Sequence, residues 1–202
     1  MLEADGRAAL VAYCRVLWER RLVTGTSGNV SVRLDGGDFL ATPAARSLRD
    51  LAADELVLTD ARGKPRMPLQ RVTSEFPLHA AAYVTRSDVS AVIHTHPTFC
   101  VVWSTLGEVF PRDTVGARET LGTVAWTAYR EPGSQELAQL ASEQFAHGID
   151  AVLMERHGLS TIGPDLESAF VLTDLAEEAA RIAYFDRLAR RGPSFKIPTP
   201  FH

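Results

Sequence analysis

Apolar positions along the chain follow two spacings, one helical and one alternating. Ala8, Val11, Leu17, Trp18 and Leu22 recur at helical spacing before Gly25, which predicts a first helix over residues 3–22. Apolar and polar residues then alternate through residues 29–42, on either side of an Asp-Gly-Gly sequence. This arrangement predicts a β-hairpin.

The same two spacings continue to residue 190. They predict further strands at 55–65 (ending in a turn), 89–96, 121–129, 151–158 and 159–163, and further helices at 74–86, from Pro97, at 134–145 and at 165–190. Strands mixed with helices and hairpins indicate an α/β fold of αβα type, with a mainly antiparallel central sheet flanked by helices. We expect a single domain over 1–202, with residues 191–202 as an extended, proline-rich C-terminal tail.

Composition narrows the classes of protein that this chain can belong to. The chain has 202 residues, a formal net charge of -4 and scattered basic residues, which argues against nucleic-acid binding. Its N-terminus lacks the features of a signal peptide, and no apolar run is long enough to span a membrane. Cys14 and Cys100 lie in apolar stretches, so buried free thiols are expected. These features favour a cytoplasmic protein that binds no membrane.

Two histidines stand at the end of the apolar strand over residues 89–96. His94 and His96 are two positions apart, so on a strand they point to the same face, and Pro97 ends the strand after them. Imidazole pairs of this kind suit a divalent metal, although two histidines with ordinary polar partners would give the same pattern. His157 follows another apolar strand, and the ends of neighbouring strands can converge on one point.

Glu75 is a candidate fourth ligand at the start of the predicted helix over residues 74–86. A carboxylate in the first turn of a helix also has a purely structural explanation, because the helix dipole favours it. His79 follows four residues later on the same helical face, so it could be a further ligand or a partner of a ligand. Its apolar neighbours favour a packing role. His147 precedes a glycine at a predicted helix end, where a structural role is expected.

Small and polar residues between Thr24 and Arg33 form a second candidate site. Gly28 permits a close approach of the backbone, and Asn29 adds a side-chain donor. Loops of this composition can bind an anion through their N–H groups, but they are also common as plain turns.

Taken together, these residues resemble the class II aldolase/adducin family. The resemblance rests on TSGNVSVR at 26–33, TSE at 73–75, HTHP at 94–97, AYREPGSQELA at 128–138 and ERHG at 155–158. It covers about residues 5–185. Members include fuculose-phosphate and rhamnulose-phosphate aldolases, ribulose-phosphate 4-epimerase and methylthioribulose-phosphate dehydratase.

The resemblance implies a role for each matching residue. The implied metal ligands are His94, His96 and His157, holding Zn²⁺ or alternatively Mn²⁺, with Glu75 as both a ligand and the catalytic acid/base. The implied anion-binding residues are Gly28, Asn29, Thr73 and Ser74, and Tyr129 is an implied catalytic residue near the mouth of the site. A small-molecule substrate and a homotetramer with sites at subunit interfaces are also implied.

Three positions depart from the family's pattern. Ala44 and Ala45 stand where sugar-phosphate members have a hydroxyl residue and a glycine, and Arg156 stands where many have asparagine. Arg46 or Arg49 could instead meet a substrate carboxylate, or simply be solvated. We therefore expect a metal-dependent carbon–carbon lyase acting on a sugar phosphate or a related hydroxy-carbonyl compound. A decarboxylase of a hydroxylated aromatic carboxylate is the main alternative, and an epimerase, a dehydratase or a non-catalytic scaffold remain open.

Overall fold

A computed structural model of the chain describes residues 1–191. The extended tail predicted for 191–202 lies, from residue 192 onward, outside the described residues, as does His202. The α-helices are α1 (Glu3–Glu19), α2 (Phe76–Thr85), α3 (Thr98–Ser104), α4 (Gln135–Ala146) and α5 (Leu166–Arg191). The strands are β1 (Asn29–Arg33), β2 (Phe39–Ala41), β3 (Val57–Thr59), β4 (Ala91–Thr95), β5 (Val124–Thr127), β6 (Ala151–Met154) and β7 (Gly158–Gly163).

The strands of residues 1–191 form one mixed sheet in the order β3-β2-β1-β4-β7-β6-β5. β5 and β6 run parallel, and the other neighbouring strands are antiparallel. The predicted hairpin is present as β1 and β2, and the two predicted strands after residue 150 pair as β6 and β7. β4 lies at the centre of the sheet and is buried along its whole length.

Helices cover both faces of the sheet, as the αβα expectation requires. α1 and α5 cover one face, where Leu10 and Leu17 pack with Ile93 of β4. α2 and α4 cover the other face, where Leu78 and Leu137 pack with Val92 of β4. Val92 and Ile93 are consecutive strand residues, so their side chains point to opposite faces and β4 contributes to both cores. Because His94 has the same parity as Val92, it belongs to the α2/α4 face.

Local chemistry accounts for several helix ends. The Ser134 hydroxyl accepts a hydrogen bond from the backbone N–H of Leu137 at 3.1 Å, which confirms the predicted cap of α4. Pro77 lies in the first turn of α2, where its missing N–H costs nothing.

A π-helical turn at Ala117–Leu121 was not predicted, and it shortens the strand expected at 121–129 to Val124–Thr127.

Within residues 1–191, none of the helices combines the length and the apolar character that crossing a lipid bilayer requires.

Candidate metal centre

The end of β4, the β6–β7 turn and the start of α2 meet on the α2/α4 face of the sheet. His94 is near the end of β4, His96 lies just beyond it, His157 is in the β6–β7 turn, and Glu75 immediately precedes α2. One potential ligand atom from each of the four lies within 4.8 Å of all the others. The structure thus brings together the four residues that the sequence suggested as metal ligands.

The distances between the potential ligand atoms are as short as those between side chains that coordinate one metal ion. The Nε2 atoms of His94 and His96 are 2.9 Å apart. Glu75 places Oε2 3.1 Å from His94 Nε2 and Oε1 3.1 Å from His157 Nε2. The contact between Glu75 Oε1 and His157 Nε2 lacks hydrogen-bond geometry despite its length, and both atoms are buried.

This donor set fits a divalent cation. Three imidazole nitrogens and one carboxylate oxygen are ligands that Zn²⁺ and similar ions prefer, and buried polar atoms without a hydrogen bond are otherwise costly. The three imidazole rings stand nearly edge-on to one another with centroids 4.8 to 5.1 Å apart, so the rings surround one point and do not stack. His94, His96, His157 and Glu75 would hold the ion.

The electrostatics of the cluster favour the protonation states that bind metal. Burial alone would raise the pKa of the Glu75 carboxyl, but the imidazoles of His94 and His157 outweigh it and hold that pKa well below its usual range. Burial, followed by the neighbouring His94, lowers the pKa of His96 to about 3. Glu75 is therefore ionised and His96 neutral near pH 7, as ligands to a cation must be.

Close backbone packing fixes the third histidine. At Gly158, which follows His157, an added Cβ would lie 2.2 Å from the Thr95 carbonyl oxygen and 2.8 Å from His96 Cδ2. Only glycine permits this approach of the β6–β7 turn to the end of β4. Arg156, in the same turn, has a left-handed backbone with φ of 54°, and its N–H donates to the Ser104 hydroxyl at 2.9 Å.

Asn29 lies beside Glu75 in the interior of the protein. It is 4% exposed, its Nδ2 donates to Glu75 Oε2 at 2.9 Å, and its Oδ1 lies 2.5 Å from His79 Nε2. Gly28, with φ of 79°, turns the chain into β1 just before it. The amide predicted to bind an anion thus has two protein partners in this structure.

The other predicted anion-binding residues lie at the start of α2. Thr73 is buried and its hydroxyl accepts from the backbone N–H of Glu75 at 3.3 Å, whereas Ser74 is exposed. An added Cβ at Gly133 would lie 2.6 Å from the Ser74 carbonyl oxygen, so the backbone at Gly133 packs directly against this turn.

Tyr129 is not one of the clustered ligands and lies partly exposed. The side chain is 44% exposed and its hydroxyl donates to Glu131 Oε1 at 3.2 Å. Its backbone N–H donates to Glu155 Oε2 at 3.1 Å, which ties it to the turn that carries His157. Its catalytic role remains a prediction.

The segment that departs from the family's pattern keeps an unusual backbone. Ala45 has a left-handed conformation with φ of 56°, which suits the glycine found in sugar-phosphate members. The guanidinium of Arg46 pairs with both carboxylate oxygens of Glu55 at 2.7 and 3.1 Å. Arg49 lies over the Trp18 ring at 5.7 Å and contacts Asp50 at 3.3 Å. Both arginines already have partners, which weakens the idea that they recognise a substrate carboxylate.

The packing role favoured for His79 is only part of what the structure shows. His79 stacks on Phe76, but it is also fully buried with a hydrogen-bond partner at each ring nitrogen, Asn29 and Ser31. Its spacing of four residues from Glu75 was the available signal, because both then lie on one face of α2.

The remaining side expectations agree with the structure. Cys14 and Cys100 are buried free thiols. His147 ends α4, where its Nδ1 lies 2.6 Å from the Glu143 carbonyl oxygen, in keeping with a structural role.

The fold and the cluster define a class of protein: an enzyme whose centre is built from three imidazoles and one carboxylate at converging strand ends. The chain belongs to the class II aldolase and adducin family, since the model of the Class II Aldolase and Adducin N-terminal domain matches residues 8–184.

Individual relatives agree with this assignment. The L-fuculose phosphate aldolase of Methanococcus maripaludis is 32% identical over 174 residues, covering 86% of this chain and 93% of the relative. The 3-oxo-tetronate 4-phosphate decarboxylase of Haemophilus influenzae is 28% identical over 189 residues, covering 91% of this chain and 89% of the relative. The solved structure of the L-fuculose-1-phosphate aldolase of Thermus thermophilus superposes with a TM-score of 0.85 at 25% identity, covering 95% of this chain and 100% of that one. The chain is therefore a lyase of class II aldolase type.

Proposed function

We propose that this enzyme is a divalent-metal-dependent aldolase that cleaves a phosphorylated ketose through an enediolate. The convergence of Glu75, His94, His96 and His157 carries the proposal, because the reaction needs an electrophile beside a carboxylate that can move a proton. The relatives named for L-fuculose phosphate indicate the substrate class, and Zn²⁺ is the ion that a three-histidine set most often holds.

The residues divide the chemistry between them. A bound divalent cation supplies Lewis-acid polarisation of a carbonyl and stabilises negative charge that develops on oxygen. In cleavage the substrate hydroxyl loses its proton as the carbon–carbon bond breaks and that oxygen becomes a carbonyl, and Glu75 passes a proton on to the enediolate carbon. In the reverse direction Glu75, kept ionised by its depressed pKa, takes the proton from that carbon. For the phosphate we propose the N–H and hydroxyl groups of the turn at Gly28 and of the segment before α2 at Thr73 and Ser74.

Assembly is part of the proposal. We propose a homotetramer with active sites at subunit interfaces, in which the exposed Tyr129 acts on the leaving fragment. Support comes from apolar side chains left exposed on α5 and on the segment after α3, including Val109 (92%), Phe185 (54%) and Leu188 (48%). Light scattering coupled to gel filtration measures the mass directly.

The first experiment uses zinc-loaded protein with dihydroxyacetone phosphate in heavy water, followed by proton NMR. Exchange of the carbon-bound hydrogens, suppressed in Glu75→Gln, is the expected result, because it requires an enediolate and a proton-moving carboxylate in one site. Absence of exchange with zinc or manganese bound would contradict the aldolase proposal.

A decarboxylase is the second candidate. Ala44 and Ala45 in place of a hydroxyl residue and a glycine favour it, together with the decarboxylase relative from Haemophilus influenzae. Decarboxylation also leaves an enolate, so the same residues could serve it. Release of carbon dioxide from 3-oxo-tetronate 4-phosphate, without cleavage of L-fuculose 1-phosphate, would replace the first proposal by the second.

A further inference from the structure

A line of hydrogen bonds runs from the interior of the α2/α4 face to Glu75. The Tyr83 hydroxyl lies 2.7 Å from Ser31 Oγ, and Ser31 Oγ lies 2.7 Å from His79 Nδ1. His79 Nε2 lies 2.5 Å from Asn29 Oδ1, and Asn29 Nδ2 donates to Glu75 Oε2 at 2.9 Å. Asn29, Ser31, His79 and Tyr83 are between 0% and 5% exposed.

Regular secondary structure creates this line. Asn29 and Ser31 are two positions apart on β1, so both point to the same face of the sheet. His79 and Tyr83 are four positions apart on α2, so both face β1. The alternating order of strand and helix residues follows from packing α2 against the sheet.

The direction of each hydrogen bond follows from the chemistry at the two ends. An ionised Glu75 can only accept, so Asn29 must present its NH₂ group to Glu75 and its oxygen to His79. The oxygen can only accept, so His79 must carry its proton on Nε2. A neutral His79 then accepts at Nδ1 from the Ser31 hydroxyl, which in turn accepts from Tyr83. Burial is the main cause that lowers the pKa of His79, to about 3, which is consistent with a neutral ring.

We propose that His79, supported by Ser31 and Tyr83, is a positioning residue that sets the amide orientation of Asn29 and thereby the orientation of the Glu75 carboxylate. With Oε2 held by Asn29, Oε1 is directed at His157 and the metal centre. This proposal rests on the proposed function for its catalytic consequence, because only a carboxylate that moves protons gains from being oriented. Its structural content, the orientation of a ligand, does not depend on the substrate.

The matched variants are His79→Phe and His79→Gln. Phenylalanine keeps the ring that stacks on Phe76 but removes the N–H that faces Asn29. Glutamine places an amide N–H near the position of the imidazole Nε2 and restores that donor. His147→Phe is the control for loss of an imidazole at an exposed position.

Two measurements report on these variants. Cobalt affinity is measured by competition with a chelator while the visible cobalt band is followed, and the turnover of dihydroxyacetone phosphate exchange is measured at saturating and at low substrate. Removing an outer-shell partner of a metal ligand costs about 10- to 100-fold in affinity or activity. We expect His79→Phe to lose about that much in cobalt affinity or kcat, with KM nearly unchanged, and His79→Gln to recover most of it.

Several outcomes would overturn the proposal. One is a folded His79→Phe protein with wild-type cobalt affinity and kcat. Another is an equal loss of cobalt affinity and kcat in His79→Gln and His79→Phe, which would indicate general damage to the structure. Neutron diffraction of deuterium-exchanged wild-type crystals decides independently: deuterium on Nε2 of His79 supports the proposal, and deuterium on Nδ1 alone contradicts it. If the wild-type protein exchanges no substrate hydrogen, the proposed function fails, while the cobalt and neutron results still decide the positioning role.

Discussion

Single residues at the centre can be tested by removing one ligand at a time. We predict that His94→Ala abolishes both the bound metal and the activity, because Nε2 of His94 lies within 3.1 Å of two other candidate ligand atoms. Elemental analysis of the purified protein measures the metal. His147→Ala is the control, and retention of one metal per chain together with full activity in His94→Ala would contradict the ligand assignment.

The backbone at Ala45 is strained, and replacing Ala45 by glycine would relieve the strain. The left-handed conformation of Ala45 costs an L-residue roughly 1 to 2 kcal/mol, and glycine avoids this cost. Glycine also increases the conformational entropy of the unfolded chain, which opposes folding by roughly 0.4 to 1 kcal/mol. We predict that Ala45→Gly raises the free energy of unfolding by about 0.5 kcal/mol. Urea denaturation measures it. Ala52→Gly, at a position with φ of -90°, should give no gain, and a gain there equal to that at Ala45 would rule out the strain explanation.

The residues of the centre differ in how far the sequence reveals them. His94, His96 and His157 were recognisable because each ends an apolar strand, and strand ends in one sheet converge. The sequence left the role of His79 open, because its partners Asn29 and Ser31 come from a distant strand whose packing against α2 no local pattern encodes. Partner choice is a long-range property, whereas periodicity is local.

Among the elements, α3 depends on α5 for its first turn. Glu177 of α5 accepts from the backbone N–H groups of Phe99 and Cys100 at 2.9 to 3.1 Å. These N–H groups have no partner within α3, because the first turn of a helix leaves its donors unpaired. α3 begins directly after His96 and Pro97, so this contact also anchors the end of β4.

We predict that Glu177→Ala lowers the free energy of unfolding by about 2 kcal/mol, because it leaves two partly buried donors without a partner. Glu178→Ala is the matched control. Glu178 pairs with Arg181 at a position where both side chains are at least 40% exposed, and such pairs contribute little. Chemical denaturation compares the two, and equal losses would contradict the role assigned to Glu177.

Elements as a whole were easier to predict than their neighbours in the sheet. A few consecutive residues determine the helical spacing of α1, the cap of α4 and the turn between β1 and β2, so these features can be recognised in the sequence. The parallel pairing of β5 and β6 was not predicted, because it depends on α4 crossing from one strand to the other. The π-helical turn at Ala117–Leu121 has no local signal that distinguishes it from the start of a strand.

At the scale of the whole molecule, burial of His79 links stability to pH. Its pKa is about 3 in the folded protein, against an ordinary value of 6.5. Between these values the unfolded chain binds a proton that the folded protein does not, so stability rises with pH. The contribution of the neutral His79 to stability is fully present above about pH 6.5 and is lost as the pH falls toward the pKa of about 3 in the folded protein.

We predict that the free energy of unfolding of the metal-free protein falls as the pH drops below about 6.5, with His79 contributing up to about 1.4 kcal/mol per pH unit. Urea denaturation at successive pH values measures the slope. His79→Phe should reduce that slope by about one proton, whereas His147→Phe should leave it unchanged. An identical slope in wild type and His79→Phe would show that His79 titrates alike in both states.

The metal centre also has a consequence for the order of events during folding. Its ligands come from separate stretches of chain, and they meet only when β4 has paired with β7 and α2 has docked on the sheet. Pairing of such distant segments is slow compared with helix formation, because closing long loops costs entropy. Added during refolding, Co²⁺ would therefore develop its visible absorption band late, after far-ultraviolet circular dichroism has recovered its helical signal. Stopped-flow recording of both signals would time the last step, and a cobalt band appearing together with the first helical signal would show that the ion gathers its ligands before the sheet exists.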